Sequence, residues 1–108
     1  MKYFRDDSKT AYEALSEAQR IAFAPIVFQA CRVLRNSGLL ELIQHSGSAG
    51  MTLDEVIARI HLPRYGIKVL LESGLGIGLF YLSDDRFVLT KLGHFMIHDP
   101  MTRINMDV

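Results

Sequence analysis

The sequence predicts a mainly α (α+β) fold, in which helices surround one short two-stranded hairpin. Three observations carry this. Apolar residues recur at helical spacing through most of the chain, and β-prone residues cluster in two short runs, Leu79-Phe-Tyr-Leu82 and Phe87-Val-Leu89. Between those runs, Ser83-Asp84-Asp85-Arg86 has the composition of a tight turn. A chain of 108 residues, 49% of them hydrophobic, is one domain by length, with a core but a modest buried fraction.

Residues 1 to 9 are polar and read as a frayed end. Thr10-Ala-Tyr-Glu13 is a capping box, and Tyr12, Leu15, Ala18 and Ala22 follow at helical spacing, so a helix is expected from about Thr10 to Phe23. Ile21 to Leu34, IAFAPIVFQACRVL, is apolar nearly all round; Gln29 and Arg32, with Arg35 and Asn36, make one narrow polar stripe. A helix of that kind must be buried nearly all round. The single small core of a 108-residue monomer covers one face of it, so the other face is expected to meet a second copy in a homodimer. The alternative is that residues 10–23 fold back and cover it. Pro25 either opens a new helix or kinks a long one, and Ser37-Gly38 ends it. Leu39-Leu-Glu-Leu-Ile43 makes a short helix, and Ser46-Gly-Ser-Ala-Gly50 reads as a flexible loop.

Thr52-Leu-Asp-Glu55 is a second capping box, with Met51 and Val56 placed as a hydrophobic staple. Val56, Ile57 and Ile60 supply the apolar face of this helix, which should stop near His61 because Pro63 disfavours helical geometry at Leu62. Pro63 can open the next helix, on which Ile67, Leu70, Leu71 and Leu75 are the apolar positions, and Gly74, Gly76 and Gly78 are expected to end it. The hairpin follows, then Thr90 caps a last short helix on which Phe95-Met-Ile97 packs back. Asp99-Pro100 breaks that helix; Ile104, Met106 and Val108 then suggest that a further element begins.

Helix, tight turn, helix, two-stranded ribbon and helix, in that order, resemble a winged helix-turn-helix. The closer resemblance is to the N-terminal domain of plant-type O-methyltransferases and their bacterial relatives. It rests on Thr52 to Glu55, Val69 to Leu75, Gly78-Leu79-Phe80 and Leu89-Thr90-Lys91-Leu92-Gly93, pieces that are weak singly but fall in the family's order over roughly residues 20–108. The glycine-rich GLGIG departs from the plainer helix end of many members. The resemblance implies dimerisation helices over residues 1–36, a winged helix-turn-helix over 37–98, and over 99–108 a linker to a catalytic domain outside this chain. It further implies that the parent is a class I S-adenosylmethionine-dependent methyltransferase whose other domain binds the cofactor and a small-molecule methyl acceptor. No catalytic, cofactor or metal residue is then expected here. In such enzymes the N-terminal helices line or cover the partner's substrate pocket. Phe23, Ile26, Val27 and Phe28 are placed to do that or to serve as plain interface packing, and Ala30, Cys31 and Leu34 continue the same apolar face.

Composition bounds the partners. Twelve basic and twelve acidic residues cancel, so no global field attracts nucleic acid or anionic membrane. One cysteine, in an apolar run, suggests a packed thiol and a reducing compartment; with no signal sequence and no run of about 18 apolar residues, a cytoplasmic location is expected.

Three motifs have a form that could carry chemistry. Val69-Leu-Leu-Glu72-Ser-Gly74-Leu-Gly76-Ile-Gly78 has the form of a cofactor loop, but a hairpin follows where a helix is required. His94 and His98 are four apart on a helix, two ligands where zinc takes three or four. The second helix of the winged unit offers Arg64, Tyr65, Lys68, Glu72 and Ser73, and the wing tip is Asp84-Asp85-Arg86, whose carboxylates would repel phosphate. A dimeric winged-helix transcriptional regulator is therefore the alternative function.

Overall fold

The computed structural model describes residues 7–107, so the frayed segment expected over residues 1–6 and the apolar Val108 lie outside the described residues. Six helices and one hairpin follow in order: α1 Ala11–Asn36, α2 Leu39–Ser46, α3 Leu53–Arg59, α4 Arg64–Ile77, β1 Phe80–Ser83, β2 Arg86–Leu89, α5 Lys91–His98 and α6 Pro100–Asp107. A 3-10 turn, Gly47–Ala49, joins α2 to α3. The radius of gyration is 16.7 Å and the long dimension 57 Å, against about 13 Å for the radius of a compact 100-residue domain. The excess comes from α1.

Two expected helices are one. Thr10 caps α1, its Oγ1 accepting from the Glu13 amide at 3.1 Å, and the helix then runs unbroken through Pro25 to Asn36. Proline removes one amide and denies the Ile21 carbonyl its partner. Every residue from Ala11 to Gln29 is exposed, so water reaches the gap. A continuous rod cannot double back, and the expected alternative of residues 10–23 covering the apolar face is thereby corrected. Gly38, at φ 85°, makes the sharp turn into α2.

The core lies at the other end. Cys31 and Leu34 of α1 pack with Leu39, Leu40 and Ile43 of α2, Val56 of α3, Ile67 and Leu71 of α4, Phe80 and Phe87 of the hairpin, Ile97 and Met106. Thr52 caps α3, accepting from the Glu55 amide at 3.2 Å; the Glu55 carboxylate takes the Thr52 hydroxyl at 3.1 Å and Arg86 at 3.0 Å. Thr52→Ala should therefore cost about 1 kcal/mol of unfolding free energy, measurable by urea denaturation.

The glycine run ends its helix as expected, but only at its last member. Helix α4 continues through Gly74 and Gly76 and stops only at Gly78, where φ is 99° and the amide bonds back to the carbonyls of Gly74 and Leu75. Gly74 is inside the helix because the Phe80 ring needs the room: a Cβ there would sit 2.3 Å from its Cε2. That ring meets Phe87 edge-on, with centroids 6.2 Å apart. The strands pair antiparallel, Phe80 opposite Leu89 and Ser83 opposite Arg86, across a two-residue turn in which Asp84 and Asp85 both take positive φ. Aspartate tolerates this left-handed geometry better than most side chains, and it matches strand twist. Met51 exchanges two backbone hydrogen bonds with Phe87, which anchors the segment read as a flexible loop.

Thr90 caps α5, accepting from the Gly93 amide at 3.1 Å while its hydroxyl reaches the Gly78 carbonyl at 2.6 Å. Ile97 is buried but Phe95 points outward, a correction to the expected packing of Phe95-Met-Ile97. The break at Asp99-Pro100 is a junction between helices: the Asp99 carboxylate accepts from the amide and hydroxyl of Thr102 and starts α6 over residues read as a linker. Those bonds hold the Asp99 carboxyl below its usual range.

Candidate functional site

A long helix standing clear of its own core is the feature that asks for a partner. The exposed part of α1 is held locally by the Thr10 cap and an ion pair between Lys9 and Glu17. In proteins most helical stability comes from packing an apolar face rather than from propensity. Yet this part carries Ile21, Phe23, Ile26, Val27 and Phe28, all exposed, with Ile21 at 74%.

Helical spacing sorts these side chains into neighbouring rows. Phe23, Val27, Phe28 and Cys31 line a cleft of about 720 Å³, whose opposite wall is Gly76 and Ile77 at the end of α4 and Met96 of α5. Arg20, Gln19 and Ser16 carry the cleft outward along α1. Ile26 does not line the cleft; with Leu15, Ala22 and Val33 it makes a neighbouring row, spaced at four and seven residues. Of the remaining residues named from sequence, Ala30 is half-buried. Cys31 is 3% exposed at the cleft floor, where burial pushes its thiol up. Leu34 is fully buried in the chain's own core. Sequence reasoning missed Ile77 and Met96, because only the tertiary approach of α4 and α5 to α1 brings them there.

Two polar clusters lie elsewhere. The Gln44 amide of α2 reaches His98 Nε2 at 2.6 Å and His94 Nδ1 at 3.5 Å, and the two rings are 4.7 Å apart. Among the described residues no group of three or more His, Cys, Asp or Glu side chains is arranged to hold a metal ion. Where α1 meets α6, Arg35 pairs with Asp107, and this guanidinium holds the Asp107 carboxyl below the usual carboxylate range. Because the folded value is depressed, this pair's contribution to stability is complete above the unfolded value near 3.9. It is lost as pH falls through the folded value. Asp107→Asn should remove that part of the acid sensitivity in a pH series of thermal melts.

The glycine motif lies in the last turns of α4 and at its cap, so it forms no strand-to-helix turn. No helix among the described residues is long and apolar enough to cross a membrane.

Residues 16–87, well over half of the chain, match the Dimerisation2-like domain. The chain belongs to the Dimerisation2-like domain family. Its matched span begins inside the exposed part of α1 and ends in β2. Among solved structures, this Dimerisation2-like domain is similar to the S-adenosylmethionine-dependent methyltransferase SibL, in a crystal structure of its apo form. The TM-score is 0.69 and the identity 22%, over 86% of this chain and 27% of SibL. The chain thus spans about a quarter of SibL's length, and the likeness is one of fold. No curated protein matches the chain.

Proposed function

We propose that this domain is the N-terminal dimerisation domain of an S-adenosylmethionine-dependent methyltransferase, and that it pairs with a second copy through α1. The observation that carries the reading is the row of exposed apolar residues on α1, from Ile21 to Val33, in a chain of the Dimerisation2-like family. The SibL likeness supports the enzyme class. A folded monomer would leave these side chains in water, and contiguous exposed apolar residues mark interfaces.

In this reading α3, α4, the hairpin and α5 are a winged helix used for packing, and residues 1–36 provide the dimer helices. The S-adenosylmethionine site belongs to a catalytic domain beyond residue 108, and no residue of this chain touches the transferred methyl group. The cleft formed by Phe23, Val27, Phe28, Ile77 and Met96 would then help to form the acceptor's surroundings, with a phenolic or other hydroxyl as the methylated group and the cytoplasm as the compartment. The sedimentation behaviour of the chain tests the pairing: a reversible dimer is expected, and a folded monomer would refute it.

A DNA-binding regulator of the same fold is the second reading. It is opposed by Asp84 and Asp85 at the hairpin tip, both exposed, and by Asp54, which pairs with Arg64 at 3.0 Å at the start of α4. Fluorescence anisotropy with random duplex DNA at low salt should show no binding. Micromolar affinity falling steeply with salt would instead favour the regulator.

A further inference from the structure

The charges on α1 are arranged along its length. Glu13 and Glu17 lie in its first half, and Arg32 and Arg35 near its end. Counted outward from the Ala24–Pro25 bond, Glu17 mirrors Arg32, Ile21 mirrors Phe28, and Arg20 mirrors the neutral Gln29. Glu17, Ile21, Ala24, Phe28, Arg32 and Arg35 are spaced at intervals of three and four residues, the spacing of a seam between two packed helices. Arg32 Nε and Arg35 Nη1 are buried and have no hydrogen-bond partner among the described residues, although Arg35 Nη2 is taken by Asp107. Those two N–H groups are closed off by the chain's own atoms and stay so in a dimer, but the half-buried Arg32 has no carboxylate partner among the described residues, and a carboxylate is the acceptor a guanidinium fits best.

We infer that α1 packs antiparallel on α1 of a second copy, about a two-fold axis at Ala24–Pro25, with Glu17 of each protomer meeting Arg32 of the other and Ile21 meeting Phe28. The inference rests on the dimer reading above and adds its direction and register. Antiparallel packing brings the acidic half of one helix against the basic end of the other. Parallel packing in register sets Glu17 on Glu17 and Arg32 on Arg32, which repel. Alanine at position 24 lets the backbones approach at the axis. The second apolar row, Leu15, Ala22, Ile26 and Val33, carries no opposite charges at mirrored positions, so nothing on it distinguishes the two directions. Glu17 exchanges its exposed partner Lys9 for Arg32 of the second copy. The isologous geometry is that of a closed two-fold dimer.

A spin label at Tyr12 on a Cys31→Ser background, read by pulsed dipolar spectroscopy, tests the direction. At about 1.5 Å rise per residue, antiparallel packing puts the two labelled positions about 38 Å apart along the axis. Parallel packing puts them about 10 Å apart. Charge reversal tests the register. Glu17→Arg and Arg32→Glu alone should each raise the dimer dissociation constant about tenfold or more, and the double reversal should restore it to near the parent value. A dimer with the short Tyr12 separation, or one in which the double reversal is no better than the singles, overturns the antiparallel register and leaves the dimer reading intact. A folded monomer overturns both.

Discussion

Val27→Glu should shift the dimer towards a folded monomer. Val27 lies on α1 at the mouth of the cleft beside Phe23 and Phe28, and is 38% exposed in the single chain. A carboxylate there can tip into water while the chain is alone, so the helix content and melting behaviour of the monomer should change little. Against a second copy the same group, beside the Ile21–Phe28 seam, loses water among aromatic and aliphatic side chains, with Arg20 of the same cleft as the nearest cation. Desolvating that carboxylate in part costs about 1.4 kcal/mol or more, which is a rise of at least about tenfold in the dissociation constant. Sedimentation velocity with circular dichroism on one sample checks both halves of the result. Cys31→Arg is a different experiment, because Cys31 belongs to the chain's own core, and a cation there should unfold the domain.

Gly93→Ala should destabilise the fold more than any surface substitution. Gly93 lies in the first turn of α5, and a Cβ added there would be 2.5 Å from Leu89 Cδ1 and 2.6 Å from the Leu79 carbonyl oxygen. The leucine can turn, but the carbonyl cannot withdraw. It accepts from the Thr90 amide and hydroxyl, both at 3.0 Å, and those bonds tie the hairpin to the start of α5. Relief therefore requires moving α5 off the hairpin or breaking the Thr90 cap. Overpacking of this kind costs about 3 kcal/mol, and the melting temperature should fall by more than about 10 °C. Thermal melts by circular dichroism read this directly. An unchanged melting temperature would mean that α5 does not approach the hairpin this closely.

Much of this architecture was legible because it is written in short-range chemistry. Thr10, Thr52 and Thr90 each begin a helix through a bond to the amide three residues on, and all three could be named without coordinates. The hairpin was legible from β-prone runs around Asp84-Asp85. Proline and glycine are weaker punctuation than the caps: Pro25 left a new helix or a kinked long one open, and of the three glycines only Gly78 ends α4. Pro25 does not break α1, because its cost of about 3 kcal/mol falls on one exposed turn of a 26-residue helix. Gly74 does not end α4, because about 1 kcal/mol of helix propensity is outweighed by the packing of Phe80 against it. Phe95 lies two positions from both Gly93 and Ile97, the buried residues of α5, and helical geometry turns it outward.

The candidate surface was half legible. An apolar α1 could be read as a row of residues, and its exposure follows from a core too small to cover it. Which residues face the cleft, which face outward and which disappear into the core, as Leu34 does, depends on how α2, α4 and α5 seat against α1. Ile77 and Met96 enter the site through that seating, and no local pattern around them announces it.

Sedimentation equilibrium of the purified chain across a range of concentrations tests the central claim most directly. The exposed apolar face of α1 predicts a reversible dimer, with twice the chain mass at micromolar concentration and full helical content. A single species of monomer mass at every concentration, with α1 still helical, would contradict it.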